Sequence, residues 1–455
     1  MAIDHQSGVA YYLAQLIDRI RSASFSDEDR SIVRQHMLDA IAAAFIGCRS
    51  RAFADLTKLC ARVEKGCAWP GSGALRINPI DAGMIWAFAI NASVFEDGSR
   101  EGACHPAAGV IPTIIALSGG KSWDLIDKSA IAGYDIMVRL ARSGNPEFTR
   151  KDFHPTSITA PFGAAAAASI LLGHDLSKAQ NALCLAALGS AGLMSAFKSS
   201  HTQPLQVGWA VRCGIIAAMM AQAGHSGYSR VIEEGFYPAY LGSKPNPPVD
   251  LSLEHEYAIK GSYLKPYPGC RHLQPSIDAF EQILIENRIK PTQILNIQVG
   301  TYRTAVETEI HDIKSRGDAY FNIPYALAAR AVLGKNDWDS FDERHFTNER
   351  LVEVRNNIEV YVDPDVERLY PNQRGSIVEV HTVEGNTLYG RVNHALGEPE
   401  NPLPDSATME KFRAAAGSFL SKRSMDRIEG MLEVSGTIEP AQGLFEVVSE
   451  NIHTM

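Results

Sequence analysis

The chain has 455 residues, of which 45% are hydrophobic and 21% are charged. This composition is that of an ordinary globular protein, and it excludes a disordered or fibrous chain. Lys and Arg number 43 against 52 for Asp and Glu, which gives a formal net charge of -9 without any long basic run. We therefore predict no nucleic-acid partner, although a local cluster of cations can still bind a small anionic substrate.

The seven cysteines are scattered and form no C-x-x-C pair. Reduced thiols in a cytoplasmic protein fit this pattern best. The first 22 residues lack the basic and apolar regions of a signal peptide and predict an amphipathic helix. The most apolar stretches, such as Ile158 to Leu172, are rich in Ala and Gly and too short or interrupted to span a bilayer. We therefore expect no membrane segment.

Helical periodicity runs through most of the chain from Tyr11 to about Gly224. Apolar residues recur at spacings of three and four in Ser31 to Ile46, Asp81 to Val94, Gly109 to Ser118, Asp127 to Arg142, Ile158 to Leu172, Lys178 to Phe197 and Gly208 to Ala223. Many of these segments are apolar all round and rich in Ala, which is typical of helices inside a large bundle. This half is predicted to be all-α.

The pattern changes after Leu251. Alternating apolar and polar residues rich in Val, Ile and Tyr predict strands at Ile294 to Tyr302, Asn357 to Asp363 and Ser376 to Val392. The last of these contains a Gly-Asn turn and predicts a hairpin. Helical stretches at Ser276 to Ile289 and Tyr325 to Leu333 make this part α+β. A Pro-rich stretch then leads into a predicted helical tail from Met409 to Met431.

Two polar segments interrupt the apolar N-terminal half. The first, Asn91 to Gly109, contains Asp97, Ser99 and His105, and the second, Arg150 to Ser157, contains His154. Both histidines precede predicted helix starts, where free N–H groups and the helix dipole attract anions and favour a neutral imidazole. A capping histidine in a surface loop explains either segment equally well.

Two further polar segments follow. Phe197 to Gly208 contains Lys198, His201 and Gln203, and Tyr263 to Ala279 contains Lys265, Cys270, Arg271 and His272. The latter lies where the helical and α+β parts meet, and small-molecule sites favour such junctions. Lys or Arg there would bind substrate carboxylates, or would simply be solvated surface charge. Nucleotide-binding, zinc-protease and α/β-hydrolase motifs do not occur in the sequence.

Several motifs in the same order resemble the MmgE/PrpD family, which contains 2-methylcitrate dehydratase, cis-aconitate decarboxylase and iminodisuccinate epimerase. They are HMLDAIAAAFIG, the acidic loop that closes on HPAAG, FHPTSITAPFGAAAAAS, QPLQVGWAVRCG, KPYPGCRH, FNIPYALAARAVLG and GEPENPL followed by Lys411-Phe412. The resemblance implies a mainly α fold: an all-α helical domain of residues 1–258 and 403–455 with an inserted, smaller α+β lid of residues 259–402. It also implies a homodimer that uses no metal and no organic cofactor.

The resemblance also implies which residues form the site. His105 and His154 match the family's two active-site histidines, and Lys265 matches the lysine that opens the lid segment. Asp97 and Ser99 lie in the acidic loop, and Tyr325 matches a tyrosine of the lid helix.

The sequence departs from the family pattern at several of these positions. Phe95 replaces the first Asp of the acidic loop, Gln203 and Gln206 replace a Lys and a His, and Cys270 replaces a His found in decarboxylase-like members. Lys198 or His201 is a candidate to replace the missing cation.

These residues lead to the hypothesis of a cofactor-independent lyase that removes a proton next to a carboxylate of a small di- or tricarboxylate, as 2-methylcitrate dehydratase does. An epimerase or isomerase, or a decarboxylase of a related carboxylate, is the alternative. One of His105 and His154 is expected to be the general base and the other the general acid, with Asp97 orienting one imidazole. The expected proton donor is Tyr325, and the expected substrate-binding residues are Ser99, Lys198, His201, Gln203, Lys265, Arg271 and His272.

Two other classes of protein stay open. A non-catalytic carboxylate-binding protein could retain the cleft without the chemistry. A metal enzyme could use His105, His154 and His201 as ligands, although no local pair of ligands marks such a site.

Overall fold

The computed structural model describes residues 8–60, 67–68, 76–199, 202–245, 248–252 and 256–433. Two compact units divide the chain, Met1–Tyr263 with Asp405–Met455 and Leu264–Pro404. The first unit is built almost entirely from helices, and the second combines helices with a four-stranded sheet. The predicted fold class, mainly α with a smaller α+β part, is confirmed.

The α-helices are Val9–Ser22 (α1), Asp27–Gly47 (α2), Arg51–Cys60 (α3), Pro79–Ala92 (α4), Pro106–Leu117 (α5), Trp123–Gly144 (α6), Glu147–Arg150 (α7), Pro155–Leu171 (α8), Leu176–Ala186 (α9), Pro204–Gln222 (α10), Tyr237–Leu241 (α11), Gln274–Asn287 (α12), Arg303–Glu307 (α13), Arg316–Ala319 (α14), Ile323–Leu333 (α15), Glu349–Asn356 (α16), Pro364–Leu369 (α17), Asp405–Ala416 (α18) and Lys422–Leu432 (α19). The strands are Cys67–Ala68 (β1), Arg76–Ile77 (β2), Gly98–Ser99 (β3), Ser262–Tyr263 (β4), Ile294–Thr301 (β5), Ile358–Val362 (β6), Ser376–Thr382 (β7) and Thr387–Val392 (β8).

Local sequence signals explain where the helices of the first unit begin. The side chain of Ser26 accepts a hydrogen bond from the Asp29 N–H in a capping box at the start of α2. The side chains of Asn78, Ser122 and Asp175 each accept a hydrogen bond from the N–H three residues later, which caps α4, α6 and α9. Proline occupies the first position of α4, α5, α8 and α10, where its missing N–H costs nothing.

Helix α8 forms the centre of the first unit. All of its residues are buried, and it packs against α5, α6, α9 and α10. Its run of alanines, Ala164 to Ala168, permits this close packing because small side chains let neighbouring helices approach. Its first turn, beside His154, is thereby held rigidly in the bundle.

Helices α2 and α4 approach so closely that only glycine fits at position 47. A Cβ atom there would lie 1.8 Å from the backbone oxygen of Ala89, which cannot move without displacing α4. We expect Gly47→Ala to lower the free energy of unfolding by about 1–3 kcal/mol or more. At Gly430 on α19 a Cβ meets no atom within 4 Å. Gly430→Ala should therefore leave stability equal or raise it by about 0.4–1 kcal/mol. Urea unfolding of both variants checks this, and equal midpoints would contradict the close approach.

Two predicted helices are shorter in the structure. The helix predicted from Lys178 to Phe197 ends at Ala186 and continues only as 3-10 turns at Ala187–Gly189 and Met194–Ser199. Between them the backbone pairs with residues 152–154, because Gly192 accepts from the His154 N–H and Met194 donates to Asp152. The predicted tail helix is likewise divided into α18 and α19, which both pack against α2.

The sheet of the second unit has the strand order β6-β5-β7-β8. Strand β5 pairs parallel to β6 and antiparallel to β7, and β7 pairs antiparallel to β8. The predicted hairpin is confirmed, with Gly385 at a positive φ of 85° in its turn. Helix α12 packs against β7 and β8.

Among the described helices, α10 is the one whose length and apolar composition would allow it to cross a membrane. It packs against α4, α8 and α9, and just over half of its apolar stretch, 56%, is buried. Trp209 and Met220 lie on its exposed face. These contacts are those of a helix in the core of a bundle.

Candidate active site

The acidic loop between α4 and α5 is closed by hydrogen bonds to Ser99. The Ser99 N–H donates to the Cys104 carbonyl at 2.8 Å, and the Gly102 N–H donates to the Ser99 hydroxyl at 3.2 Å. Strand β3 in this loop also pairs with β4. The Ser99 side chain is buried and accepts a loop hydrogen bond, so in this structure it holds the loop together. Its predicted contact with substrate stays a prediction.

The Asp97 carboxylate, fully buried, joins three helices. One oxygen accepts from Nδ1 of His36 on α2 and from the Tyr134 hydroxyl on α6, each at 2.7 Å. The other accepts from the N–H of Ala107 at the start of α5, at 2.9 Å. Burial alone would raise the pKa of Asp97, but the bond and charge of His36 and the bonds from Ala107 and Tyr134 together hold it below its usual value. Asp97 is therefore ionised at neutral pH.

His105 is held by the backbone of the same loop. Its Nδ1 lies 2.6 Å from the carbonyl oxygen of Asp97, and its backbone N–H donates to the Thr156 hydroxyl at 3.1 Å. A carbonyl oxygen can only accept, so Nδ1 of His105 carries the hydrogen and Nε2 of the neutral ring carries the lone pair. About a quarter of the side chain, 27%, is exposed. His105 thus has the geometry of a base.

Glu96 places a buried carboxylate next to this imidazole. Its Oε1 lies 3.8 Å from Nδ1 of His105 and accepts from the Asn91 amide at 2.8 Å. Gln203 in turn donates from its side-chain amide to the side-chain oxygen of Asn91, Oδ1, at 3.1 Å. A proton gained by His105 would therefore be stabilised by a nearby negative charge.

His154 directly precedes α8, and its ring is buried. Nδ1 lies 2.7 Å from the Ser157 hydroxyl and 3.1 Å from the side-chain nitrogen of Gln206. The Phe197 ring packs edge-on against the imidazole with 5.1 Å between ring centres. Burial, and secondly the charge of His105, lower the pKa of His154 to about 3. This histidine is neutral throughout the physiological pH range.

Lys411 of α18 reaches the acidic loop from the C-terminal end of the chain. Its Nζ forms an ion pair with Asp39 on α2 and donates to the Phe95 carbonyl at 2.6 Å. The same nitrogen lies 3.7 Å from the centre of the Phe95 ring, in a cation–π contact. Both charged side chains are buried. The hydrogen bond from Lys411 to the Phe95 carbonyl anchors the backbone two positions before Asp97.

In the first unit the structure brings four predicted residues together: Asp97, Ser99, His105 and His154. The predicted orienting role of Asp97 needs a correction, because its carboxylate holds His36, whereas its backbone carbonyl holds His105. Gln203 donates a hydrogen bond to Asn91, which in turn donates to Glu96. His201 and the side chain of Lys198 lie outside the described residues, so their roles, and the metal hypothesis that includes His201, stay predictions.

In the second unit the expected role of Tyr325 is not supported. Its side chain is fully buried against Phe341 and Phe346, and its hydroxyl donates to the Ser340 carbonyl at 2.8 Å. Burial raises the pKa of this phenol well above its usual value. Tyr325 therefore packs in the core of its own unit, and its expected role as a proton donor stays a prediction.

The other predicted residues of the second unit are Lys265, Arg271 and His272. Lys265 is fully buried, and Arg271 forms a buried ion pair with Glu398. Nδ1 of His272 and the Tyr302 hydroxyl are hydrogen-bonded to each other. Burial, followed by the charges of Arg374 and Arg271, lowers the pKa of His272 to about 3. The expected binding of carboxylate by Lys265, Arg271 and His272 stays a prediction.

Sequence reasoning did not identify five residues that contact this site: His36, Asn91, Tyr134, Gln206 in its contact with His154, and Lys411. A signal existed for one of them. His36 and Asp39 are the last polar residues of α2 before its apolar run from Ala40 to Gly47, and their spacing of three puts both on one face. No local pattern marks Tyr134, which lies in the middle of α6.

Together these residues define a helical protein with a polar site that places two histidines at the starts of two packed helices, α5 and α8. Comparison with known families gives a match to the MmgE/PrpD N-terminal domain over residues 12–248 and to the MmgE/PrpD C-terminal domain over residues 267–435. The chain therefore belongs to the MmgE/PrpD family, as its motifs predicted.

Curated relatives cover nearly the whole chain at low identity. Cis-aconitate decarboxylase of Homo sapiens is 26% identical over an alignment of 433 residues that covers 90% of this chain and 88% of that protein. The enzyme of the same name from Mus musculus is 24% identical over 89% of this chain and 86% of its own. That from Aspergillus terreus is 23% identical over 94% and 93%. Identities of this size make the chain a divergent member.

Proposed function

We propose that the protein is a cofactor-independent lyase that acts on a small di- or tricarboxylate by removing a proton from the carbon next to a carboxylate. The observation that carries this proposal is the hydrogen bond from Nδ1 of His105 to the Asp97 carbonyl, since it leaves Nε2 as the basic nitrogen. Family membership and the names of the relatives support a lyase of carboxylates.

In a dehydration, Nε2 of His105 takes the proton from carbon, and the electron pair of the C–H bond forms the C=C bond. The C–O bond to the neighbouring carbon breaks, and its electrons leave with the hydroxyl group. The proton on His105 then passes to that hydroxyl, which departs as water, and the imidazole returns to its neutral form. Glu96, 3.8 Å from Nδ1, stabilises the imidazolium between these two steps.

Decarboxylation is the second candidate, and the names of the relatives favour it. In that reaction the C–C bond to a carboxylate breaks, carbon dioxide leaves, and the electron pair on carbon accepts a proton. Protonated His105 would supply that proton. His105 therefore serves either reaction, and the product distinguishes the two.

The test is incubation of the purified protein with citrate-like, 2-methylcitrate-like, aconitate-like and aminodicarboxylate substrates, followed by NMR of the products. Loss of water from a hydroxy acid supports the dehydratase, whereas release of carbon dioxide supports the decarboxylase. Inversion at carbon without loss of any group would support the epimerase alternative. Binding without turnover of any substrate would contradict the proposal and favour a carboxylate-binding protein.

The other implications of the resemblance are likewise proposals. We propose a cytoplasmic homodimer whose lid cations, including Lys265 and Arg271, bind substrate carboxylates. Size-exclusion chromatography with light scattering tests the dimer.

A further inference from the structure

We infer that Gln206 is a positioning residue that fixes the tautomer of His154, so that Nε2–H of this neutral ring donates a hydrogen bond to the reacting carboxylate. The inference rests on the proposed function and assigns the second histidine a role different from that of His105. On this inference His105 is the base and His154 is a hydrogen-bond donor.

The orientation of the Gln206 amide is fixed by the backbone of one residue. The Leu193 N–H donates to Oε1 of Gln206 at 2.9 Å, and Nε2 of Gln206 donates to the Leu193 carbonyl at 3.4 Å. A flipped amide would place its NH2 group against the Leu193 N–H and its oxygen against the Leu193 carbonyl. Both contacts would be repulsive, so the nitrogen of the amide must face His154.

This orientation decides which ring nitrogen of His154 carries the hydrogen. Nε2 of Gln206 lies 3.1 Å from Nδ1 of His154, and an amide nitrogen can only donate. Nδ1 must therefore accept, and the hydrogen of the neutral ring lies on Nε2. The Ser157 hydroxyl, 2.7 Å from Nδ1, is compatible with either tautomer, because a hydroxyl can donate or accept. Gln206 removes that ambiguity.

The two histidines consequently have opposite tautomers. Nδ1 of His105 donates to a carbonyl, whereas Nδ1 of His154 accepts from an amide. His105 has the lone pair on Nε2 and can take a proton, whereas His154 has a hydrogen there and can stabilise negative charge. A neutral imidazole N–H can stabilise charge that develops on a carboxylate without itself gaining a proton.

Packing holds Gln206 in this position. Gly192 precedes Leu193, and a Cβ atom on Gly192 would lie 2.4 Å from the Cβ of Ser157 and 3.4 Å from Oε1 of Gln206. The Gly192 carbonyl accepts from the His154 N–H at 3.1 Å. The backbone of Gly192 and Leu193 therefore binds both the backbone N–H of His154 and the side-chain amide of Gln206.

Gln206→Glu is the sharpest test, because it replaces the donor with an acceptor of the same shape. A carboxylate next to Nδ1 of His154 favours a hydrogen on that nitrogen. We expect NMR of protein labelled with 15N-histidine to show an unprotonated Nδ1 at His154 in the wild type and a protonated one in the variant. The His154 signal is assigned by its loss in His154→Gln. We expect kcat to fall about 10²–10³-fold with little change in KM, as when one preorganised donor is removed.

Two further variants separate the tautomer from charge and folding. Gln222→Glu adds the same charge at the exposed end of α10 and should change neither the NMR signal nor kcat. Gln206→Met removes the donor without adding charge, and it should give a mixture of tautomers and a smaller loss of kcat. An unchanged Nδ1 in Gln206→Glu, or a protonated Nδ1 with undiminished kcat, would overturn the inference. Because the NMR result needs no substrate, wild-type protein inactive on every carboxylate would instead overturn the proposed function.

Discussion

Replacing His105 with glutamine lowers kcat by about 10²–10⁴-fold, the usual contribution of a general base in direct contact with its proton. The glutamine amide can still donate to the Asp97 carbonyl, as Nδ1 of His105 does at 2.6 Å. The variant therefore keeps the hydrogen bond that shapes the loop and loses only the basic nitrogen. Steady-state kinetics on the substrate identified by the product assay measures the effect.

The matched control is His225→Gln, which makes the same change at an exposed histidine after α10. It should retain wild-type kcat. Circular dichroism and urea unfolding of both variants establish that the fold is unchanged. Undiminished turnover in a folded His105→Gln variant would contradict the assignment of the base.

Replacing Lys411 with methionine lowers the free energy of unfolding by about 3–5 kcal/mol, because it leaves the buried carboxylate of Asp39 without its cation. Burial already raises the pKa of Asp39, and the charge of Lys411 acts against that rise. Without Lys411 the pKa rises further, so the folded state binds a proton that the unfolded state releases. The loss of stability should therefore be larger at pH 8 than at pH 5.

The double variant Asp39→Asn with Lys411→Met provides the control. Replacing both members of a buried ion pair by neutral side chains changes the free energy of unfolding little. The double variant should therefore regain most of the stability that Lys411→Met loses. Urea unfolding at both pH values measures the wild type, Asp39→Asn, Lys411→Met and the double variant. Additive losses from the two single variants, or a loss that does not depend on pH, would show that the pair does not act as a unit.

Much of the fold followed from the sequence because its signals are local. Periodicity located most helices, and the Gly-Asn turn located the hairpin of β7 and β8. The helices predicted from Gly109 and Ile158 begin three residues earlier, at Pro106 and Pro155. The helix predicted to reach Phe197 ended early for a reason that is not local. Its last part pairs with residues 152–154, more than 30 positions earlier in the chain.

The site could be predicted only in part, because residue type does not reveal where a side chain points. Asp97 was recognised as an orienting group, but it orients His105 through its backbone carbonyl, an atom that every residue has. Tyr325 was expected to donate a proton, yet its hydroxyl points at Ser340 in its own core. Gln206 looked like the loss of a family imidazole. In the structure its amide nitrogen lies 3.1 Å from Nδ1 of His154, the contact from which we infer the tautomer of that ring.

The most direct test of the central claim is the exchange of substrate hydrogen with solvent deuterium, followed by proton NMR. The wild-type protein should exchange the hydrogen on the carbon next to a carboxylate of its substrate, because His105 takes that proton and solvent replaces it. The His105→Gln variant should bind the same substrate without exchange, whereas Gln206→Glu should exchange slowly. Exchange at the wild-type rate in His105→Gln would contradict the account.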